Sequence, residues 1–327
     1  MKKHLSITSI AGFDAPLKMK TKSSIRAAFH SFGGVICAGA VLLIASNAQA
    51  QNLFVAAAHS DNIYEFTPGG TQSTFASGLN YPYGLAFDSS GDLFAANSIL
   101  DIGTGGYVSK ITPGGVQSTI PSGPDPKGLA FNSAGDLFET DYHSGNIYEY
   151  TPGGVLSTFA TVSPAPQALA FNSAGNLFVG TGYGNGNESI TEITPNRTQS
   201  TFASGLSYIQ GLAFNSLGDL FEADGGSGKI YEFAPDGTPM GAFASGLDSP
   251  CGLAFNSLGD LFEMDSDSGK IYEFAPDGTP MGVFASGLGG AVGLAFQGET
   301  LPVPEPSALG LLAVGMFGLT LLRRRQR

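Results

Sequence analysis

Gly211-Leu-Ala-Phe-Asn-Ser-Leu-Gly-Asp-Leu-Phe-Glu-Ala-Asp224 recurs 41 residues later, almost unchanged, as Gly252-Leu-Ala-Phe-Asn-Ser-Leu-Gly-Asp-Leu-Phe-Glu-Met-Asp265. Gly-Leu-Ala-Phe also opens at Gly84, Gly128 and Gly293, and Ala168 opens the variant Ala-Leu-Ala-Phe; successive starts lie 44, 40, 43, 41 and 41 residues apart. A second apolar run, Asp/Asn-Leu-Phe, begins at Asn52, Asp92, Asp136, Asn176, Asp219 and Asp260. A third covers Ile63–Phe66, Val108–Ile111, Ile147–Tyr150, Ile190–Ile193, Ile230–Phe233 and Ile271–Phe274. A fourth covers Thr74–Ala76, Thr119–Ile120, Thr158–Ala160, Thr201–Ala203, Ala242–Ala244 and Val283–Ala285. Each run is short, rich in β-branched or aromatic residues, and bounded by turn residues, so each reads as a strand. Ser-Ala-Gly or Ser-Leu-Gly separates the first from the second, and Thr-Pro-Gly-Gly or Ala-Pro-Asp-Gly separates the third from the fourth. There Pro presets φ and Gly accepts a positive φ.

Four strands in about 42 residues, six times over, predict an all-β, six-bladed β-propeller with four-stranded blades. The order of the runs also predicts how the ring closes. The chain enters blade one at its second strand, Asn52, and the unused first strand, Gly293–Phe296, comes last. Pairing 293–296 with the N-terminal strands completes six blades within 51–298, whereas a solenoid would need capping repeats. Of 327 residues, 47 are Gly and 19 Pro, which suits turns and excludes a helical bundle. Residues 51–302 hold 5 basic and 25 acidic side chains, a net charge of −20. Such a surface repels phosphate backbones and excludes nucleic acid as a partner.

Both ends read as addresses. In 1–50, Lys18, Lys20, Lys22 and Arg26 precede the apolar run Val35–Ile44, and Ala48-Gln49-Ala50 supplies a small-x-small cleavage site. That reading makes 1–50 a secretory signal and Gln51 the mature start; Met19 would give a leader of ordinary length, so either Met1 or Met19 is the start. After a linker at 299–302 come Val303-Pro304-Glu305-Pro306, the apolar stretch Ser307–Leu322, and Arg323–Arg327. Sixteen residues are marginal for a bilayer span, and the arginines would stay cytoplasmic. The order of the three parts over 303–327 resembles the PEP-CTERM sorting signal. The resemblance implies processing by an exosortase-type enzyme near Val303–Pro306 and transient anchoring through 307–322. It implies a Gram-negative bacterium, with the precursor facing the periplasm and the product at the cell surface or in an extracellular polysaccharide matrix.

The repeats resemble NHL and gluconolactonase-like propellers, and also streptogramin lyases, families that include enzymes, binders and scaffolds. In the gluconolactonase-like enzymes an acid or Asn just before the first-strand Gly helps hold a divalent metal in the channel. The matching residues here are Tyr83, Lys127, Gln167, Gln210, Cys251 and Val292. None is acidic or Asn, and Lys127 opposes a cation. The resemblance therefore implies candidate channel-lining positions without the metal. The lyases use a His with acidic groups; His59 and His143 recur at one blade position and read as surface residues.

Three further groups carry candidate chemistry. Asp141, Asp224 and Asp265 close second strands, each two positions after Glu139, Glu222 or Glu263 and so on the same strand face. Carboxylates around a rim could bind calcium, or each Asp could cap the following Ser/Gly turn. Cys251 pairs with nothing in the propeller and reads as a small buried hydrophobe. The second-to-third-strand loops lengthen at 97–106 and 181–188, and Tyr183, Asn185 and Asn187 would suit sugar hydroxyls. The function expected is a non-enzymatic binding or scaffold module, exported and surface-sorted, needing no cofactor unless calcium fills the rim. Its expected partner is an extracellular polysaccharide or surface protein. The alternative is a metal-dependent hydrolase or lyase with a divergent channel site.

Overall fold

A computed structural model describes residues 51–98, 105–182, 186 and 188–298. Six antiparallel four-stranded sheets account for the strands, and the only helical turn among the described residues is the 3-10 turn Ala58–Ser60. Blade one is ordered Ala291–Phe296, Leu53–Ala57, Asn62–Phe66, Gln72–Ala76. Its closing pair runs from Leu53 opposite Phe296 to Ala56 opposite Gly293, as the repeat order predicts. The other five blades each run consecutively from their innermost strand outward. The six inner strands are Pro82–Phe87, Pro126–Phe131, Pro166–Phe171, Ile209–Phe214, Pro250–Phe255 and Ala291–Phe296. They begin two residues ahead of the expected Gly or Ala, because one residue bulges out of the pairing and hides the continuation.

Glycine opens the repeat because neighbouring blades meet there backbone to backbone. A Cβ on Gly211 would lie 1.9 Å from the carbonyl oxygen of Cys251 in the next blade. On Gly293 it would lie 2.0 Å from Tyr83 O, and on Gly84 2.3 Å from Lys127 O. No side chain fits at such a distance. Where blade four carries Ala168 instead, its paired residue is Gly180, whose absent Cβ leaves room for Ile209.

Farther out, the phenylalanine of each second strand joins blades edge to face. Phe138 meets Phe159 of its own blade at 5.0 Å between centroids and Phe171 of the next at 4.9 Å. Phe54–Phe87, Phe94–Phe131, Phe178–Phe214, Phe221–Phe255 and Phe262–Phe296 repeat the step to the next blade. The T-shaped geometry adds to the burial of each ring. Both ends of the propeller leave through the face that carries the first-to-second-strand turns. Gln51 donates to Gln297 O (3.0 Å) and accepts from Ser257 N (2.9 Å). The opposite face carries the second-to-third-strand loops and the entries into each inner strand.

Candidate functional site at the channel mouth

The six channel positions named from sequence all fall at one structural device. Gln167 sits between the pairs Pro166–Thr181 and Ala168–Gly180 and opposes nothing; Gln210, Cys251 and Val292 do the same in their blades. In blades two and three the register slips across Tyr83–Gly84 and Lys127–Gly128. A bulge re-aims its side chain away from the ladder. The six do not form one site. Cys251 is buried, its thiol 2.9 Å from Met264 O and pushed well above the usual range by that burial. Gln167 is buried too and donates to Gly182 O at 2.9 Å.

Lys127 anchors a cluster of contacting side chains. Its Nζ donates to Ser98 Oγ at 2.8 Å and lies 3.4 Å from Asp125 Oδ1. It also sits over the Tyr83 ring, 4.5 Å from the centroid, and 5.7 Å from that of Tyr142. The Ser98 hydroxyl bonds to Asp125 Oδ1, and His143 Nδ1 stands 3.2 Å from Asp125 Oδ2. Burial pulls the Lys127 ammonium below its ordinary range, and Asp125 pulls it back. Asp125 and Lys127 flank Pro126, and the bulge that re-aims Lys127 brings the two side chains together. Ser98 follows the second strand of blade two. The sequence reading missed Ser98 and Asp125; Asp125 does not repeat between blades, and Ser98 recurs only as Ser266 of blade six. Asp125 takes the place that Tyr81, Ala165, Tyr208, Ser249 and Gly290 fill elsewhere.

Three of those counterparts are strained. Tyr81 (φ 51°), Ala165 (φ 47°) and Tyr208 (φ 63°) adopt the left-handed conformation that Gly290 (φ 75°) adopts at no cost. For a bulky residue this costs on the order of 1–3 kcal/mol and tends to mark functional positions. The Asp61 carboxylate holds Tyr81 there, accepting its N–H at 2.9 Å. Tyr83 is surrounded by protein yet keeps part of its surface open to the channel. Burial raises its phenol above the ordinary range, as do Tyr208, Cys251, Tyr81 and Tyr142 nearby. Tyr83 and Tyr142 thus flank Lys127, and Tyr81 and Tyr208 lie near Tyr83.

The rim carboxylates have another task. Asp224 accepts Ser227 N (2.8 Å) on one oxygen and Ser207 N (2.7 Å) on the other; Asp265 accepts Ser268 N (2.9 Å) and Asp248 N (2.7 Å). Asp141 likewise accepts Ser144 N (2.7 Å) and Asp125 N (2.8 Å). Each Asp ties its own turn to the entry of its blade. No group of three metal-ligating side chains occurs among the described residues. We expect millimolar calcium or a chelator to leave the unfolding midpoint unmoved. A site filled to 100 times its Kd would add roughly 2.7 kcal/mol and overturn this account. Tyr183, Asn185 and Asn187 lie outside the described residues, as do Ala48, Ala50 and the segment 303–327. Among the described residues no helix is long and apolar enough to cross a membrane.

The architecture is similar to that of the crystal structure of a nidogen/laminin complex, with a TM-score of 0.67 at 17% identity over 76% of this chain and 98% of that one. It is also similar to an X-ray structure assigned as a gluconolactonase, with a TM-score of 0.55 at 16% identity over 65% and 80% of the two chains. At such identities the likeness concerns the fold. No curated protein matches the chain. Residues 302–326 match the PEP-CTERM protein-sorting motif. That motif is a substrate signal for exosortase processing and implies a secreted, membrane-anchored precursor in a Gram-negative bacterium. The chain is thus an exported, surface-sorted six-bladed β-propeller bearing a C-terminal PEP-CTERM motif.

Proposed function

We propose that the propeller is a non-enzymatic binding module whose channel mouth holds a carbohydrate of the extracellular matrix. The observation that carries this reading is the packing of Tyr83 and Tyr142 against Lys127, which Asp125 and Ser98 hold in place, with Tyr81 and Tyr208 near Tyr83. Tyrosine offers a rigid apolar face for a sugar ring and a hydroxyl at its edge. Lys127 and Asp125 add a donor and an acceptor for hydroxyls. The bulges hold no carboxylate with which to repeat the metal site of the gluconolactonase-like enzymes, which favours binding over metal-dependent hydrolysis. In this reading 1–50 is removed after Ala50, and 307–322 anchors the precursor until exosortase processing near Val303–Pro306. Tyr183, Asn185 and Asn187, which follow Gly182 in sequence, would extend the carbohydrate contact.

Affinity electrophoresis through gels containing the producing organism's matrix polysaccharide tests the proposal. The wild-type protein should be retarded, and Tyr83→Ala or Tyr208→Ala should weaken retention about tenfold or more, as befits loss of a central aromatic contact. Mobility equal with and without polysaccharide would sink the reading.

A further inference from the structure

Eight large apolar side chains are strongly exposed among the described residues: Val116, Val155, Leu156, Leu217, Met240, Leu258, Met281 and Val283. Their placement is one-sided. Leu217 and Leu258 tip first-to-second-strand turns, and Val116 and Val155 sit in third-to-fourth-strand turns. Leu156 starts an outer strand just after such a turn, Met240 and Met281 stand second in theirs, and Val283 follows Met281 along its strand. All therefore lie on or next to the face through which both chain ends leave, and none lies at the channel mouth. Leu217 and Leu258 are 81% and 69% exposed, where the matching turns of blades two to four carry Ser90, Ala134 and Ala174. Leu258 adjoins the exit itself, because Ser257 N is held by Gln51 and Gln51 by Gln297.

Covalent geometry supplies the occupant. From Gly298 to the start of the apolar stretch at Ser307 the chain makes nine steps, which reach at most about 30 Å. An anchored precursor therefore keeps this face, and not the mouth, next to the bilayer. Two protruding leucines at turn tips suit the boundary between headgroups and acyl chains. The exposed Asp236 and Asp277 of the adjoining turns would be repelled by an anionic surface and tolerated by a zwitterionic one. We propose that the exit face is a membrane-docking surface, seated through Leu217 and Leu258 on zwitterionic lipid while the precursor is anchored, with the channel mouth turned outward. The inference rests on the anchored reading of 307–322 given above.

The chain contains no Trp, so a single introduced one reports its own surroundings. Full-length Leu258→Trp is reconstituted with vesicles of phosphatidylcholine and phosphatidylethanolamine carrying brominated acyl chains. Ser144→Trp, exposed on the opposite face, is the control. Emission from position 258 should shift to the blue and be quenched several-fold more than emission from 144. Its quenching should fall as phosphatidylglycerol is added. Both variants must float with the vesicles; failure to float overturns the anchored reading and the docking with it. Flotation with no quenching at 258, with equal quenching at both positions, or with quenching that grows with anionic lipid overturns the docking alone.

Discussion

Gly211→Ala destabilises the propeller by about 3 kcal/mol or more, at the upper end of overpacking effects. For a domain of this size that lowers the thermal midpoint by roughly 6–12 °C. The new Cβ would stand 1.9 Å from a backbone oxygen, that of Cys251, which cannot rotate away as a side chain can. Relief requires two inner strands to part, and the ring transmits that displacement to the other junctions. Gly180→Ala is the informative comparison. There the added Cβ would lie 2.4 Å from Ile209 Cγ2, a side-chain atom able to change rotamer. Its cost should be near 1 kcal/mol. Calorimetry on the two variants checks the order; equal costs would show that inter-blade backbone approach is not what the glycine serves.

Removing the buried acids should stabilise the protein at neutral pH. Glu222 and Glu263 are fully buried; both Glu222 oxygens lack a hydrogen-bond partner, and for Glu263 only the Cys251 backbone eases the charge. Burial drives both pKa values well up, with Asp224 or Asp265 beside each adding to the rise. Glu139, at the same position in blade three, accepts from Gly123 N at 2.9 Å and from the Tyr150 hydroxyl; burial still lifts it to about 7. Phe233 and Phe274 stand where Tyr150 stands, and they have no hydroxyl to offer. A carboxyl with a raised folded-state pKa favours the native protein most below its unfolded value. As pH climbs above about 4.5 the unfolded chain releases the proton that the native state keeps. Stability then falls by roughly 1.4 kcal/mol per pH unit for each such group until the folded-state pKa is reached. Glu222→Gln with Glu263→Gln should therefore raise the unfolding midpoint at pH 7–8, leave it little changed near pH 4, and flatten the profile between. Phe233→Tyr should recover part of that gain by supplying the missing donor. A double variant whose midpoint keeps the wild-type pH dependence would show that these acids do not govern it.

How much was legible in sequence follows from what repeats. Blade number, strand order and the closure by Gly293–Phe296 follow from runs that recur six times, because each run is set by its own alternation and turns. The bulge was not legible as such. At Tyr83, Lys127 or Gln210 the alternation slips by one residue, and the strand seems to start at the next Gly when it begins two positions earlier. The caps made by Asp141, Asp224 and Asp265 could be read only to the level of two alternatives, since the second N–H each accepts comes from a loop some 16 or 17 residues away. The mouth cluster was least visible. Tyr83 and Ser98 of blade two meet Lys127 of blade three only through the ring, so no spacing announces their contact. Likewise the want of a partner for Glu222 depends on Phe233 lacking the oxygen that Tyr150 has.

Closure by the last strand also sets an order of events during export. Leu53 pairs with Phe296, about 240 positions apart. A chain that crosses a secretion pore amino end first delivers the strands 53–57, 62–66 and 72–76 long before their fourth member. Until then Leu53–Ala57 is an open edge of five buried-type residues, and such edges template wrong pairings. Loop closure over so many residues is a slow step that only the final segment can complete. The interval between the first and last strands leaving the pore is therefore when this protein is most exposed to swapping strands with its neighbours. A periplasmic chaperone would have most to protect then.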